Sequence, residues 1–199
     1  MHVHIGLTTA DGVNAVEGDQ AMGLSELGAC VVAGFLKHAR GLAGLTAPTV
    51  NSYKRLLPGS WAPSHVCYGG SNRAALVRIP DAGTRHLEFR GGDGTGNPYL
   101  SLVGIMAAAL DGIEEGRPAT DPITDGLAGL TPADFAARGL VELPRSAPEA
   151  LDALDADQVL MGALGPIIGP GFLRVRRSEA ATYAVEVGDW ERAAYLEQP

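Results

Sequence analysis

Five arginines fall between positions 55 and 90 of an otherwise acidic chain: Arg55, Arg73, Arg78, Arg85 and Arg90. Lys54, Asp81 and Glu88 lie beside them, with Asp93 just beyond. A guanidinium presents paired donors to carboxylate or phosphate oxygens, so this stretch has the chemistry to grip an anion. His86, Glu88 and Arg90 alternate, which places them on one face of a strand. Such a face can line a charged pocket; the plain alternative is a solvated sheet face held by salt bridges. Arg73 and Arg78 are five apart, so they sit on opposite faces of a strand or at its two ends. Near the start, His2 and His4 also alternate and share a face. Two imidazoles on one face can bind a metal or a phosphate, whereas at a mobile terminus they are an accidental pair. If Met1 is internal to a longer protein, the ordered reading gains. Ser52, Cys30 and Cys67 sit in no nucleophile motif, and His38 and His65 stand isolated. The glycines at 91, 92, 94 and 96 do not follow dinucleotide-loop spacing.

These residues need elements to position them. The alternation from Met1 to Leu7 predicts a strand, and residues 8–19 read as a loop. Apolar positions from Met22 to Leu42 predict one helix over 20–44, with Lys37, His38 and Arg40 in its last turns, where cations suit the dipole. Residues 52–63 are irregular. Strands follow at Ser64–Tyr68, Ala74–Ile79 and Arg85–Arg90. Asn97-Pro98 opens a helix to about Ile113, proline being suited to the first turn. Residues 114–147 are rich in Pro, Gly and Asp and read as surface excursions. Ser146 opens a helix to about Leu164, the segment 165–171 breaks the pattern, and a last amphipathic helix covers Phe172–Val187. No repeat or linker divides the chain, which reads as one domain.

The chain has 199 residues, 46% hydrophobic and 19% charged, enough for a sizeable core. Its net charge of −8 argues against a general binder of nucleic acid or of anionic membranes. Apolar runs are broken by Gly, Lys or His before eighteen residues, which indicates no membrane-spanning helix. No basic-then-apolar leader opens the sequence. Two cysteines make no disulfide scaffold, and the expected setting is a reduced cytoplasm.

In order along the chain, Asn51-Ser-Tyr-Lys-Arg55-Leu-Leu-Pro58-Gly59, Asn72-Arg73, Arg78-Ile79-Pro80, Leu87-Glu88-Phe89-Arg90 and Asn97-Pro98-Tyr99-Leu100 resemble the catalytic domain of glutamine synthetase. Met1-His2-Val3-His4 resembles that family's His-x-His strand, and the ending is similar to that of polyamine-type relatives. The resemblance covers nearly the whole chain. It implies an α+β fold, an antiparallel sheet backed by helices, incomplete at its amino-terminal side. It implies the carboxy-terminal part of a catalytic domain over 1–199, without the family's small β-rich domain. The reaction it implies joins glutamate to ammonia or an organic amine through γ-glutamyl phosphate. ATP and Mg2+ or Mn2+ are the implied cofactors.

The same resemblance assigns roles. His2 and Glu88 match metal ligands, and His4 matches a nucleotide contact. Arg55 and Arg90 match glutamate-binding arginines, and Arg78 matches a nucleotide-phosphate arginine. Arg73 matches the catalytic arginine that touches both substrate and nucleotide. A homo-oligomeric ring is implied, with active sites between subunits, so this chain alone is expected not to turn over. The sequence also departs from the pattern. Trp61 stands where the family's ammonia-site glutamate belongs, which favours organic amines. His86 replaces an arginine, and Ala128 stands where some bacterial members carry a modifiable tyrosine. The rival readings are a non-catalytic remnant and a free-standing nucleotide-binding module.

Overall fold

A computed structural model describes residues 1–196, apart from 57–61, 71, 82, 125, 126, 128, 129 and the side chain of Pro132. Trp61 and Ala128 therefore lie outside the described residues. Five short strands, β1 (Val3–Ile5), β2 (Glu17–Gln20), β3 (Tyr68–Gly69), β4 (Val77–Arg78) and β5 (Leu87–Phe89), accompany seven α-helices among the described residues. The helices are α1 (Glu26–Lys37), α2 (Ala39–Thr46), α3 (Pro98–Glu115), α4 (Pro132–Ala137), α5 (Ala147–Ala156), α6 (Gln158–Ala184) and α7 (Asp189–Tyr195).

Four strands form one sheet in the order β1-β5-β4-β3. The β1–β5 and β4–β5 pairs are antiparallel, but β3–β4 is parallel. The α+β class stands, and the expected antiparallel sheet becomes a mixed one. The chain between Gly69 and Val77 is a short crossing rather than a hairpin turn, so β4 returns in the direction of β3. In register, Val3 pairs Phe89 and Phe89 pairs Val77, giving one apolar row across the sheet. Val77, Ile79, Leu87 and Phe89 are buried, with Phe35 of α1 edge-on to Phe89 at 5.9 Å. Each such side chain contributes about 1.5–3 kcal/mol on burial, against about 1 kcal/mol for a ladder hydrogen bond. The apolar row therefore decides which face turns inward, and the polar alternates must face outward.

The helices start where the sequence offers caps. Ser25 Oγ accepts from Gly28 N at 2.9 Å, and Asn97 Oδ1 accepts from Tyr99 N at 2.9 Å with Pro98 in the first turn. The α1 and α3 backbones cross closely at Gly34 and Gly112. A methyl on Gly34 would lie 2.0 Å from the Ala108 carbonyl oxygen, and one on Gly112 would lie 2.2 Å from that of Cys30.

Four expectations change. The single helix over 20–44 divides at His38, whose ring bonds to two other helices. Part of the 8–19 loop is β2, which bridges back to Leu24 through a tight turn at Met22 and Gly23, both at positive φ. The 114–147 excursion contains α4, capped reciprocally by Thr131 and Asp134. The break at 165–171 is a single kink at Gly165 (φ 75°), after which Pro166 restarts the helix. By length and composition, 158–195 also holds an apolar stretch sufficient to cross a membrane. That corrects the reading of short, broken runs. Leu160, Leu164 and Leu173 of this stretch are buried in the core, whereas Ile167, Ile168 and Val175 are exposed.

His38 is 4% exposed. Its Nδ1 lies 2.6 Å from Asp157 Oδ2, at the N-cap of α6, and its Nε2 lies 2.9 Å from Asp111 Oδ2 on α3. Carboxylates only accept, so both ring nitrogens donate and the ring is an imidazolium. Lys37 Nζ also reaches Asp111 at 2.6 Å and Glu115 at 2.7 Å. His65, the other isolated histidine, stacks on Phe135 at 3.7 Å and is 2% exposed.

Candidate functional site

The outward face of the sheet carries the charged residues. His4 pairs with Glu88 across β1–β5, and Glu88 pairs with Arg78 across β5–β4, so the three share one row. His2, His86 and Arg90 lie one alternation away on the same face, as the spacing predicts. Glu88 is the hub and is 2% exposed. Its Oε1 lies 2.7 Å from His2 Nδ1 and accepts from Arg90 Nη1 at 2.9 Å; its Oε2 accepts from Arg78 Nε. Burial would raise this carboxyl, but Arg78 and then Arg90 outweigh it and hold it below the usual range. Burial and the Arg90 charge push the His2 imidazole down, against Glu88.

Arg90 is itself buried, and its Nη2 donates to the Arg73 carbonyl at 2.8 Å. Arg55 donates from Nη2 to the carbonyls of Gly91 and Gly92 at 3.2 and 3.0 Å. The loop that supplies these carbonyls is shaped by Asp93, whose Oδ1 accepts from Thr95 N at 2.8 Å and Thr95 Oγ1 at 2.6 Å. Burial opposes ionisation of Asp93, but bonds from Ser52 and Thr95 and the Arg55 charge keep its carboxyl low. Asp93 was visible in the sequence only as a nearby acid. The Asp-x-Thr spacing, which makes a side-chain-closed turn, was the signal for its positioning role.

Met1, His2, Arg55, Ala62, Arg73, Arg78, Glu88 and Arg90 together line a cavity of about 570 Å³. Arg73 and Arg78, left open as opposite faces or strand ends, both reach it: Arg78 from β4, Arg73 from the segment before it. Four guanidiniums therefore surround one carboxylate, a surplus of positive charge suited to a ligand with several anionic groups. Two members of the arginine stretch stay out. Lys54 Nζ lies over the Tyr183 ring at 5.7 Å, and Arg85 Nη1 donates to the Pro80 carbonyl at 3.1 Å. His4 is on the shared face but outside the cavity lining, paired instead with His86 at 2.9 Å.

The description "Glutamine synthetase, catalytic domain" matches residues 1–195, and the chain belongs to that family. It is 38% identical over 201 residues to a glutamine synthetase of Halobacterium salinarum, covering 100% of this chain and 44% of that protein. It is also 38% identical over 205 residues to a glutamate–methylamine ligase of Methyloversatilis universalis, covering 98% and 46%. A solved structure described as a GmaS/ADP complex superposes with a TM-score of 0.84 at 39% identity, over 99% of this chain and 46% of that one. The chain thus spans about half the length of the curated relatives it matches.

Proposed function

We propose that this chain is the carboxy-terminal part of the catalytic domain of an ATP-dependent ligase that forms a γ-glutamyl amide from glutamate and ammonia or an amine. The observation that carries the reading is the cavity itself: Arg55, Arg73, Arg78 and Arg90 around the single buried carboxylate of Glu88. Family membership and the ADP named for the structural relative support it.

In this reading Arg55 and Arg90 hold the glutamate carboxylates and Arg78 holds a nucleotide phosphate. Arg73, which also lines the cavity, faces the transferring phosphoryl group in this reading and stabilises its charge. His2 and Glu88 are hydrogen-bonded to each other at 2.7 Å, and imidazole plus carboxylate fit Mg2+ or Mn2+, which would take the place of that bond. A cation there would screen phosphate charge. Glu88 does a second task, holding Arg78 and Arg90 in fixed directions before any ligand arrives. His4 contacts the nucleotide from the same face. The exposed apolar row of Leu102, Met106 and Leu110 on α3 supports assembly with further copies in a cytoplasmic oligomer.

An organic amine such as methylamine is the second reading. The tryptophan at 61, in place of an acid–base carboxylate, and the match to a glutamate–methylamine ligase favour it. The test is phosphate release by the protein as it occurs in its source cells, with Mg2+, ATP and glutamate, offering ammonia and methylamine side by side. Glutamate-dependent release that needs one of the amines is expected, reduced at least tenfold in Arg73→Ala. Release indifferent to glutamate would overturn the reading.

A further inference from the structure

His4 and His86 face each other across the β1–β5 ladder. His4 is in register with Glu88, so His86 is its diagonal neighbour on the same sheet face. His4 Nδ1 and His86 Nε2 are 2.9 Å apart, with ring centroids at 5.1 Å and the rings tilted by 42°. The other nitrogen of His86, Nδ1, lies 2.8 Å from the Thr84 carbonyl oxygen. A carbonyl can only accept, so Nδ1 carries the proton and Nε2 presents its lone pair toward His4. A backbone carbonyl fixing the far nitrogen is how metal-ligating histidines are oriented.

The spacing suits chelation. Two nitrogens, each about 2.0–2.1 Å from one cation, stand about 2.9 Å apart at the right angle of Cu2+ or Ni2+ sites and about 3.3 Å apart at the tetrahedral angle of Zn2+. A cation would therefore replace the present imidazole–imidazole hydrogen bond with at most a small parting of the rings. His4 lies in β1 and His86 directly precedes β5, its neighbour in the sheet, and both reach solvent, which admits an ion. Glu88, in register with His4, is committed to His2, Arg78 and Arg90. An all-nitrogen pair selects against hard cations such as Mg2+ and for the later members of the first row.

We propose that His4 and His86 form a two-imidazole site for a late first-row divalent cation, Cu2+, Ni2+ or Zn2+, with water completing its coordination. It is separate from the His2–Glu88 pair, whose carboxylate oxygen suits a harder ion. His4 is also the nucleotide contact of the ligase reading, so the titration is run without nucleotide. The pair's spacing does not depend on that reading, and failure of the site would leave the reading standing. The experiment titrates the full chain with Zn2+ at neutral pH and reads the site as the difference between parent and His86 variants, which cancels any Zn2+ held at His2 and Glu88. His86→Ala and His86→Gln are compared with the parent, and folding is checked by circular dichroism. One Zn2+ equivalent is expected in the parent, bound at least tenfold more weakly in both variants. Equal stoichiometry and affinity in either folded variant would overturn the site. The Cu2+ paramagnetic resonance spectrum of the parent gives a second readout that needs no variant. Coupling to two imidazole nitrogens is expected, and one or none would overturn the proposal.

Discussion

Glu88 and His38 are both almost fully buried, and both are bonded to groups of opposite sign, yet the two clusters are built to different ends. Glu88 is one carboxylate among His2, Arg78 and Arg90, with Arg55 and Arg73 lining the same cavity. Among the residues lining the cavity, four guanidiniums outnumber the one carboxylate, even with Asp93 close to Arg55, and they open onto space for a ligand. His38 is one imidazolium between Asp111 and Asp157, and with Lys37 and Glu115 it ties α1, α3 and the start of α6 together. Its charges nearly balance, and its partners come from separate helices. Surplus charge beside a cavity marks a binding cluster; matched charge between helices marks a fastener.

Removing each hub is the sharpest way to break this comparison. Glu88→Ala leaves the buried Arg90 and the half-buried Arg78 without their counter-ion, a change that costs about 3 kcal/mol. Urea unfolding should show it as a lowered midpoint, and a polyanion such as ADP should recover part of the loss by supplying the missing negative charge. His38→Asn should cost less, about 2–3 kcal/mol, because Asp111 keeps Lys37. ADP should not offset that loss. Recovery in both variants, or in neither, would erase the distinction.

Acidity sharpens it further. Burial pulls the His38 imidazole down, but the bonds to Asp157 and then Asp111 more than offset it and leave it raised above 6.5. A raised imidazole contributes its full stability below pH 6.5 and loses it as pH rises through the folded-state value. Asp111 is held below 3.8 by Lys37 and His38, and Asp157 is held low by His38 despite its burial. Their contribution is present above that value and lost on acidification. The stability gap between parent and His38→Asn should be widest from about pH 4 to 6.5 and shrink toward pH 8. A gap that widens with rising pH would contradict the imidazolium. The smallest effect belongs to Arg177, which spans Asp152 and Asp155 in open solvent. Arg177→Ala should cost less than about 1 kcal/mol and fade with added salt.

The functional face was readable because period-two alternation is strict. Once Leu87 and Phe89 are inward, His86, Glu88 and Arg90 must be outward, and the same holds for His2 and His4 against Val3. The helix opened by Asn97-Pro98 was readable for a similar local reason, and it runs two residues past the expected end, to Glu115. What escaped depends on partners distant in sequence. Nothing near His38 announces Asp111 or Asp157, which lie 73 and 119 residues away, so the helix break they enforce was invisible. The parallel β3–β4 pair escaped for the same reason, since alternation fixes faces but not strand direction. Thr131 and Asp134 were different: their capping spacing was present in the sequence, inside a stretch whose Pro and Gly content suggested only surface excursion.

The close crossing of α1 and α3 carries a consequence for variation. At Gly34 and Gly112 a single added methyl would collide with backbone rather than with a side chain able to swing aside. In a library of every single substitution, these two sites should reject all nineteen alternatives, alanine included. They would then score beside Glu88 and Arg90, although they touch no ligand. Intolerance ranked alone would place a chemically silent helix crossing inside the active region, and only a separate readout of folded abundance would sort the two apart.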